Sequence, residues 1–261
     1  MIAVMGMEGV LLDIDGVLAV SWEPIPGAAG TIDWLREHGI AFRLVTNTSS
    51  ETRKGIAGKL VESGISVEPT EVITAVVATG DYLKIHHPGA RIFVLSDEES
   101  LEDLGEVELV NRDADVVVLG GAGEVFSYGN VNLAFQMLMG GAAFVAMHRS
   151  VYWKTAEGLK LDGGAYVRGL EEATGQRAVV CGKPAADFFE AALRALGLPA
   201  ERVVMIGDDV VTDVLAAQSV GLTGVQVRTG KFRPQDLGRP GGKPDHVIGS
   251  IADLPRLLAP A

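Results

Sequence analysis

The chain has 261 residues, 48% of them hydrophobic and 21% charged, with a formal net charge of −12. That mixture is long and apolar enough to bury one large or two ordinary cores, and its acidic excess argues against partners made of phosphate backbone or anionic lipid. Basic residues are scattered, with no run longer than Arg53-Lys54, so neither a nucleic-acid nor a membrane partner is expected.

The first stretch, MIAVMGMEGVLLDID, lacks a basic start and meets charge too soon for a signal peptide, and no apolar run reaches about 18 residues. The single cysteine, Cys181, excludes an internal disulfide and fits a reducing interior. A cytoplasmic protein is therefore expected. Gly9 to Leu12 reads as a buried strand that delivers the acids of DID at its C-terminal end. A helix is expected after Pro26-Gly27 from the spacing of Ile32, Leu35 and Ile40, then a strand over AFRLVT. Ser49 or Ser50 is placed to cap a helix from about Glu51 to Ser63 with Ile56, Leu60 and Val61 on its apolar face, and EVITA supplies a third strand.

From Ala75 to Gln176 the alternation continues with RIFVL, ADVVVLG and AAFVAMH as strands and helices near 76–85, 126–139 and 164–174. RAVVCG, a helix over about Ala185 to Leu196, RVVMIGDD, a helix over about Val211 to Val220 and LTGVQV complete the series. Such alternation predicts an α/β fold, a Rossmann-like doubly wound parallel sheet, here with an inserted second domain. Ligands of such sheets bind beyond the carboxyl ends of the strands.

Four constellations fall at such ends. In the first, Asp13 and Asp15 are two apart in an extended segment and face one pocket, where two like charges call for a cation or proton between them; a solvated Asp-Gly turn is the plainer reading. In the second, Thr46 and Asn47 follow a strand, and with Thr48 and Ser49 before a helix they offer neutral donors to an anion, although an ordinary helix cap accounts for Thr48 and Ser49 as well. The third is Lys183 in Gly182-Lys183-Pro184, a compact charge for a phosphate or carboxylate, with Pro184 suited to a first helical turn; lone lysines usually face solvent. The fourth is Asp208 and Asp209 after VVMIG, with Asp213 further on. Several carboxylates beyond one buried strand suit a hard cation such as magnesium, whereas an acidic helix start explains only Asp208 and Asp209.

Taken jointly and in order, DIDGV, Thr46-Asn47, Lys183 and GDD with Asp213 resemble the haloacid dehalogenase superfamily. Only 33 residues separate Asp13 from Thr46, too few for a second domain, whereas 136 separate Asn47 from Lys183. The resemblance is thus to the subfamily with a C2-type α/β cap, which includes the NagD-like and 4-nitrophenylphosphatase-like enzymes. MHRSVYWKTAEGLKLDGGAYVRGLEEATG, VVCGKPAADFFEAAL, VVMIGDDVVTDVLAAQ and VRTGKFRP look like the branch of the phospholysine phosphohistidine inorganic pyrophosphate phosphatases and their haloacid dehalogenase-like hydrolase relatives. Some of those relatives carry Ser where this chain has Asp15.

The resemblance implies a catalytic core over 1–75 and 177–261 and a cap over 76–176. It further implies a magnesium-dependent phosphatase acting on a small phosphorylated metabolite: a phosphomonoester, a phosphoramidate or a pyrophosphate. Asp13 would be the nucleophile and Asp15 the general acid and base. Mg2+ would be held by the Asp13 carboxylate, the Asp15 carbonyl and Asp208, with Asp209 and Asp213 anchoring from behind, and the phosphate by Gly16, Thr46, Asn47 and Lys183. His148, Tyr152, Trp153 and Tyr166 fall where this subfamily places cap residues that face substrate, with ordinary packing as the plainer reading. A homodimer through the cap also goes with the resemblance. The alternatives are a phosphotransferase or mutase sharing the aspartyl-phosphate, and a non-catalytic phosphate-binding module. Cys181 is expected to be a buried, inert thiol. The glycines before Lys231 do not have P-loop spacing.

Overall fold

The structure, a computed structural model, describes residues 6–155, 158–238 and 240–259, the side chains of 153–155 and 238 excepted. Its main elements in chain order are β1 (Gly9–Asp13), α1 (Ala28–Glu37), β2 (Ala41–Thr46), α2 (Arg53–Glu62) and β3 (Val72–Thr74). Next come α3 (Ala75–His86), β4 (Arg91–Leu95), β5 (Glu108–Leu109), β6 (Val116–Leu119), α4 (Tyr128–Met139) and β7 (Ala143–Ala146). The hairpin strands β8 (Tyr152–Thr155) and β9 (Gly158–Leu161) are followed by α5 (Gly163–Thr174) and β10 (Val179–Val180). The chain closes with α6 (Ala186–Leu196), β11 (Val203–Gly207), a π-helical turn over Val210–Leu215, α7 (Ala216–Ser219), β12 (Thr223–Val227), β13 (His246–Ile248) and α8 (Leu254–Leu258).

Two compact units result: one takes the chain through Thr46, Arg53–Ile73 and everything from Lys183 onward, the other Asn47–Thr52 and Thr74–Gly182. In the first unit a six-stranded sheet runs β13-β12-β11-β1-β2-β3. β1 pairs in parallel with β11 on one side and β2 on the other, with Leu12 beside Ile206 and Asp13 beside Val45. The order of strands therefore reverses about β1, the switch point at which doubly wound sheets open a crevice beyond their carboxyl ends. Val10 and Leu12, Phe42 and Leu44, Val204 and Ile206, and Val225 and Val227 alternate onto one face, where they pack with Ile32 and Leu35 of α1, Ile56 and Leu60 of α2, and Leu254 and Leu257. Near-continuous burial of β1 is what a parallel strand covered on both faces requires.

The second unit has its own parallel five-stranded sheet, β10-β7-β6-β4-β5. Val117, Leu119, Phe144 and Ala146 meet α4 and α5 through Ala134, Leu138, Val167 and Leu170. Val116, Val118, Val145 and Met147 on the other face meet α3 through Ala75, Val76 and Leu83. Cys181 is buried in this second core.

Several local expectations need correction. α2 begins at Arg53, and the Ser49 hydroxyl is held by His148 across 99 residues of sequence rather than by a helix end. Ile40 lies past the end of α1, and Val61 is half exposed. The Lys183–Pro184 peptide is cis and α6 starts at Ala186, so Pro184 is not in its first turn. The helix after GDD opens as a π turn because Asp209 caps it while Asp213 turns inward to Lys183.

Candidate active site

In the first unit, β1, β2 and β11 end side by side, so Asp13, Thr46 and Asp208 emerge at one sheet edge. Lys183 reaches the same edge from the segment before α6. Its Nζ donates to Asp13 Oδ1 at 2.8 Å and to the Val45 carbonyl at 3.4 Å, and lies 2.8 Å from Asp213 Oδ1. All three charged side chains are buried, so the lysine expected from its sequence context is a bridge between two carboxylates and not a solvated surface group.

Asp208 is 2% exposed. Its Oδ2 accepts the Lys231 N–H at 2.7 Å, while its Oδ1 has no hydrogen-bond partner among the described residues. One carboxylate oxygen from each of Asp13, Asp208 and Asp213 lies within 4.8 Å of the others. Three buried carboxylates face one buried ammonium, which leaves two negative charges in excess if all are ionised. Burial pushes the Asp208 carboxyl up to about 6 and that of Asp213 up to about 7, the latter with help from Asp13. Burial also raises Asp13 against the pull of Lys183. Burial alone would lower the Lys183 ammonium, but Asp13 and Asp213 outweigh it and hold its pKa above the usual lysine range. An all-oxygen cluster with excess charge and an orphaned buried oxygen fits a hard divalent cation. Among the described residues, Asp13, Asp208 and Asp213 form an acidic group whose side chains could hold one.

The other predicted residues occupy different positions. Asp15 is exposed at the turn after β1. Gly16 has φ +81° and donates its N–H to the Ala19 carbonyl at 2.8 Å. A Cβ there would stand 2.1 Å from Asp208 Oδ2 and 2.9 Å from the Gly230 Cα, so only glycine permits this approach. Asp209 is a helix cap, its Oδ1 accepting from Val211 and Thr212 at 3.0 and 3.1 Å, while its own N–H donates to Asp213 Oδ2 at 3.2 Å. That fastens Asp213 from behind.

The sequence reading missed the loop Thr229-Gly230-Lys231. Its Thr229 hydroxyl donates to the Gly16 carbonyl, its Lys231 amide to Asp208, and the Lys231 ammonium lies 3.9 Å from Asp209. The available signal was Thr229-Gly230-Lys231 shortly after the apolar run GVQV, a stretch read for P-loop spacing and for its family resemblance but not as a further strand-end motif.

Asn47 belongs to the second unit, as do the four cap residues. His148 is 3% exposed with both ring nitrogens engaged. Tyr152 is exposed, Tyr166 packs on Phe126 with ring centroids 4.6 Å apart, and the Trp153 side chain lies outside the described residues. Among the described residues no helix is long and apolar enough to cross a membrane.

Comparison with known proteins bears on this geometry. Residues 10–110 match the family described as haloacid dehalogenase-like hydrolase, and residues 180–254 a family described as HAD-hydrolase-like. The chain is 38% identical to the phospholysine phosphohistidine inorganic pyrophosphate phosphatase of Mus musculus, over 97% of this chain and 94% of that protein. It is 36% identical to the haloacid dehalogenase-like hydrolase domain-containing protein 2 of Homo sapiens, over 90% of each. Among solved structures, the 4-nitrophenylphosphatase from Thermotoga maritima superposes with a TM-score of 0.89 at 28% identity, over 97% of this chain and 98% of that one. NagD from E. coli K-12 gives 0.88 at 26%, over 95% and 98%.

Proposed function

The chain belongs to the haloacid dehalogenase-like hydrolase family and is an enzyme of its phosphatase kind; we propose that it hydrolyses a small phosphorylated substrate with magnesium as cofactor, through an aspartyl-phosphate on Asp13. The observation that carries this reading is the buried group of Asp13, Asp208 and Asp213 around the Lys183 ammonium, with an oxygen of Asp208 that has no partner among the described residues. A cluster built only to stabilise the fold would not keep a bare buried carboxylate oxygen and excess charge at the open end of a sheet.

In the proposed reaction an Asp13 carboxylate oxygen forms a bond to phosphorus as the bond to the leaving oxygen breaks, and Asp15 gives that oxygen its proton. Asp15, now ionised, takes a proton from water, whose oxygen bonds to phosphorus while the acyl-phosphate bond breaks. Inorganic phosphate leaves and the Asp13 carboxylate returns. Exposure of Asp15 suits a group that must meet both leaving group and water. Lys183, Thr46 and Asn47 supply donors to the phosphoryl oxygens, and Gly16 admits the close packing of the Asp208 and Gly230 segments. Asp13, the Asp15 carbonyl and Asp208 would hold magnesium, whose contribution is to offset charge on the transferring group.

The 38%-identical relatives are named for phospholysine, phosphohistidine and pyrophosphate, so P–N and P–O–P bonds join phosphomonoesters as substrates to test. A cytoplasmic location and a homodimer go with this reading. Release of inorganic phosphate from 4-nitrophenyl phosphate, measured on chelator-stripped protein before and after magnesium, tests it. Turnover is expected only with the metal and is expected to vanish in Asp13→Asn; equal turnover without metal, or an active Asp13→Asn, would overturn the reading.

A further inference from the structure

Within the second unit, Ser49, His148 and Asp162 stand in the order of a hydrolytic serine site. Ser49 Oγ is 2.8 Å from His148 Nε2, and His148 Nδ1 is 3.9 Å from Asp162 Oδ2. The hydrogen bonds exclude that use. The Ser150 N–H donates to Nδ1 at 3.3 Å, which makes Nδ1 the acceptor and puts the ring proton on Nε2. Nε2 therefore donates to Ser49 Oγ and cannot take its proton. Asp162 Oδ1 is spent on the Gly163 and Ala122 amides at 2.7 and 3.2 Å, at the start of α5. Burial lowers the His148 pKa, with Asp162 opposing, which keeps the ring neutral near pH 7.

Ser49 sits two residues after Asn47, in the short segment Asn47–Thr52 that groups with the second unit although β2 before it and α2 after it belong to the first. The segment is gripped at Ser49: its carbonyl accepts from Ser96 Oγ at 3.4 Å, and a Cβ on Gly121 would come within 2.8 Å of Ser49 Oγ. The residue before His148 does a related job, because the Met147 carbonyl accepts the Gly182 N–H at 2.8 Å. A Cβ on Gly182 would in turn lie 2.6 Å from Asn47 Oδ1. The end of β7 thus holds both the segment that carries Asn47 and the glycine that precedes Lys183.

We propose that His148 is a positioning residue, whose Nε2–H, through the Ser49 hydroxyl, fixes the backbone that presents Asn47 to the phosphoryl group. The proposal rests on the phosphatase reading given above. It assigns His148 to the binding of phosphate and not to the choice of leaving group, and it explains why a polar pair is buried at the start of this segment.

The test is steady-state kinetics of the magnesium-loaded full-length protein on 4-nitrophenyl phosphate, with inorganic phosphate as inhibitor. Ser49→Ala and His148→Leu should each raise KM and the inhibition constant of phosphate about tenfold, the effect of one lost buried hydrogen bond, while kcat changes less than about threefold. The double variant should lose no more than either single one. His148→Gln, which keeps a donor for Ser49 and an acceptor for the Ser150 amide, should return both constants to within about twofold. Ser49→Ala removes a single oxygen and carries the test if His148→Leu does not fold. Unaltered phosphate inhibition in Ser49→Ala, or losses that multiply in the double variant, would overturn the positioning role alone. A parent protein without magnesium-dependent turnover would sink the phosphatase reading and this one with it.

Discussion

Lowering the pH of the metal-stripped protein from 7.5 to 5 should stabilise it, and magnesium should do so most at the higher pH. The Asp208 carboxyl titrates near 6 in the fold against an ordinary 3.8, because burial opposes its charge. One pKa unit is worth about 1.4 kcal/mol, so the ionised, metal-free group costs the fold about 3 kcal/mol above pH 6. Between pH 3.8 and 6 the folded chain keeps a proton that the unfolded chain has released, so stability falls as pH rises through that window. About 1.4 kcal/mol should be regained by pH 5, and Asp213, raised to about 7, adds in the same direction. A cation competes with those protons. At a magnesium concentration about 100-fold above its Kd at pH 7.5 the stabilisation is about 2.7 kcal/mol, a rise in Tm of about 5–10 °C for a chain of this size. At pH 5 the same concentration should give about half of it. Melting curves with chelator and with magnesium at both pH values provide the assay. Asp208→Asn should melt higher than the parent at pH 7.5 in chelator, by up to about 3 kcal/mol, and should lose the magnesium shift. A magnesium shift of equal size at both pH values, or an Asp208→Asn protein less stable than the stripped parent, would refute the reasoning.

Asp15→Asn should cost about 100-fold to 10,000-fold in kcat on alkyl phosphates and much less on 4-nitrophenyl phosphate, whose leaving group needs little protonation; equal losses on both would contradict the acid role. In the second unit Glu171 accepts from Arg149 at 2.8 and 2.6 Å, and with burial opposing, that bidentate pair holds its carboxyl at about 2 against an ordinary 4.5. Its stabilisation, of order 3 kcal/mol, is full above pH 4.5 and is lost as pH falls toward 2, so acid unfolding of Glu171→Gln should be less steep over that range. Parallel acid curves for parent and variant would count against it.

The parts of the molecule that could be read from sequence are those where one local pattern carried the signal. Apolar runs ending in DID, TN and GDD gave the central strands and their acids, because a parallel strand buried on both faces has little freedom in composition. What stayed hidden depends on partners far apart in the chain. Ser49 looks like a helix cap until His148, 99 residues on, takes its hydroxyl. Lys231 contributes a backbone amide, which no side-chain pattern announces. Gly16 stands out in DIDGV as an expected phosphate contact, but its close approach to Gly230 beside Asp208 shows only in the fold. The hairpin of β8 and β9 was overlooked because Tyr152, Leu159 and Leu161 are exposed and do not alternate into either core. The π turn after GDD arises from the inward pull of Lys183 on Asp213, a tertiary contact overriding helical preference.

Chemical capture of the intermediate bears most directly on the claim that Asp13 becomes phosphorylated. The magnesium-loaded protein, quenched during turnover and reduced with borohydride, should yield homoserine at position 13 by peptide mass mapping, and none without substrate. Rapid turnover with position 13 unmodified, or reduction at another carboxylate, would contradict the account.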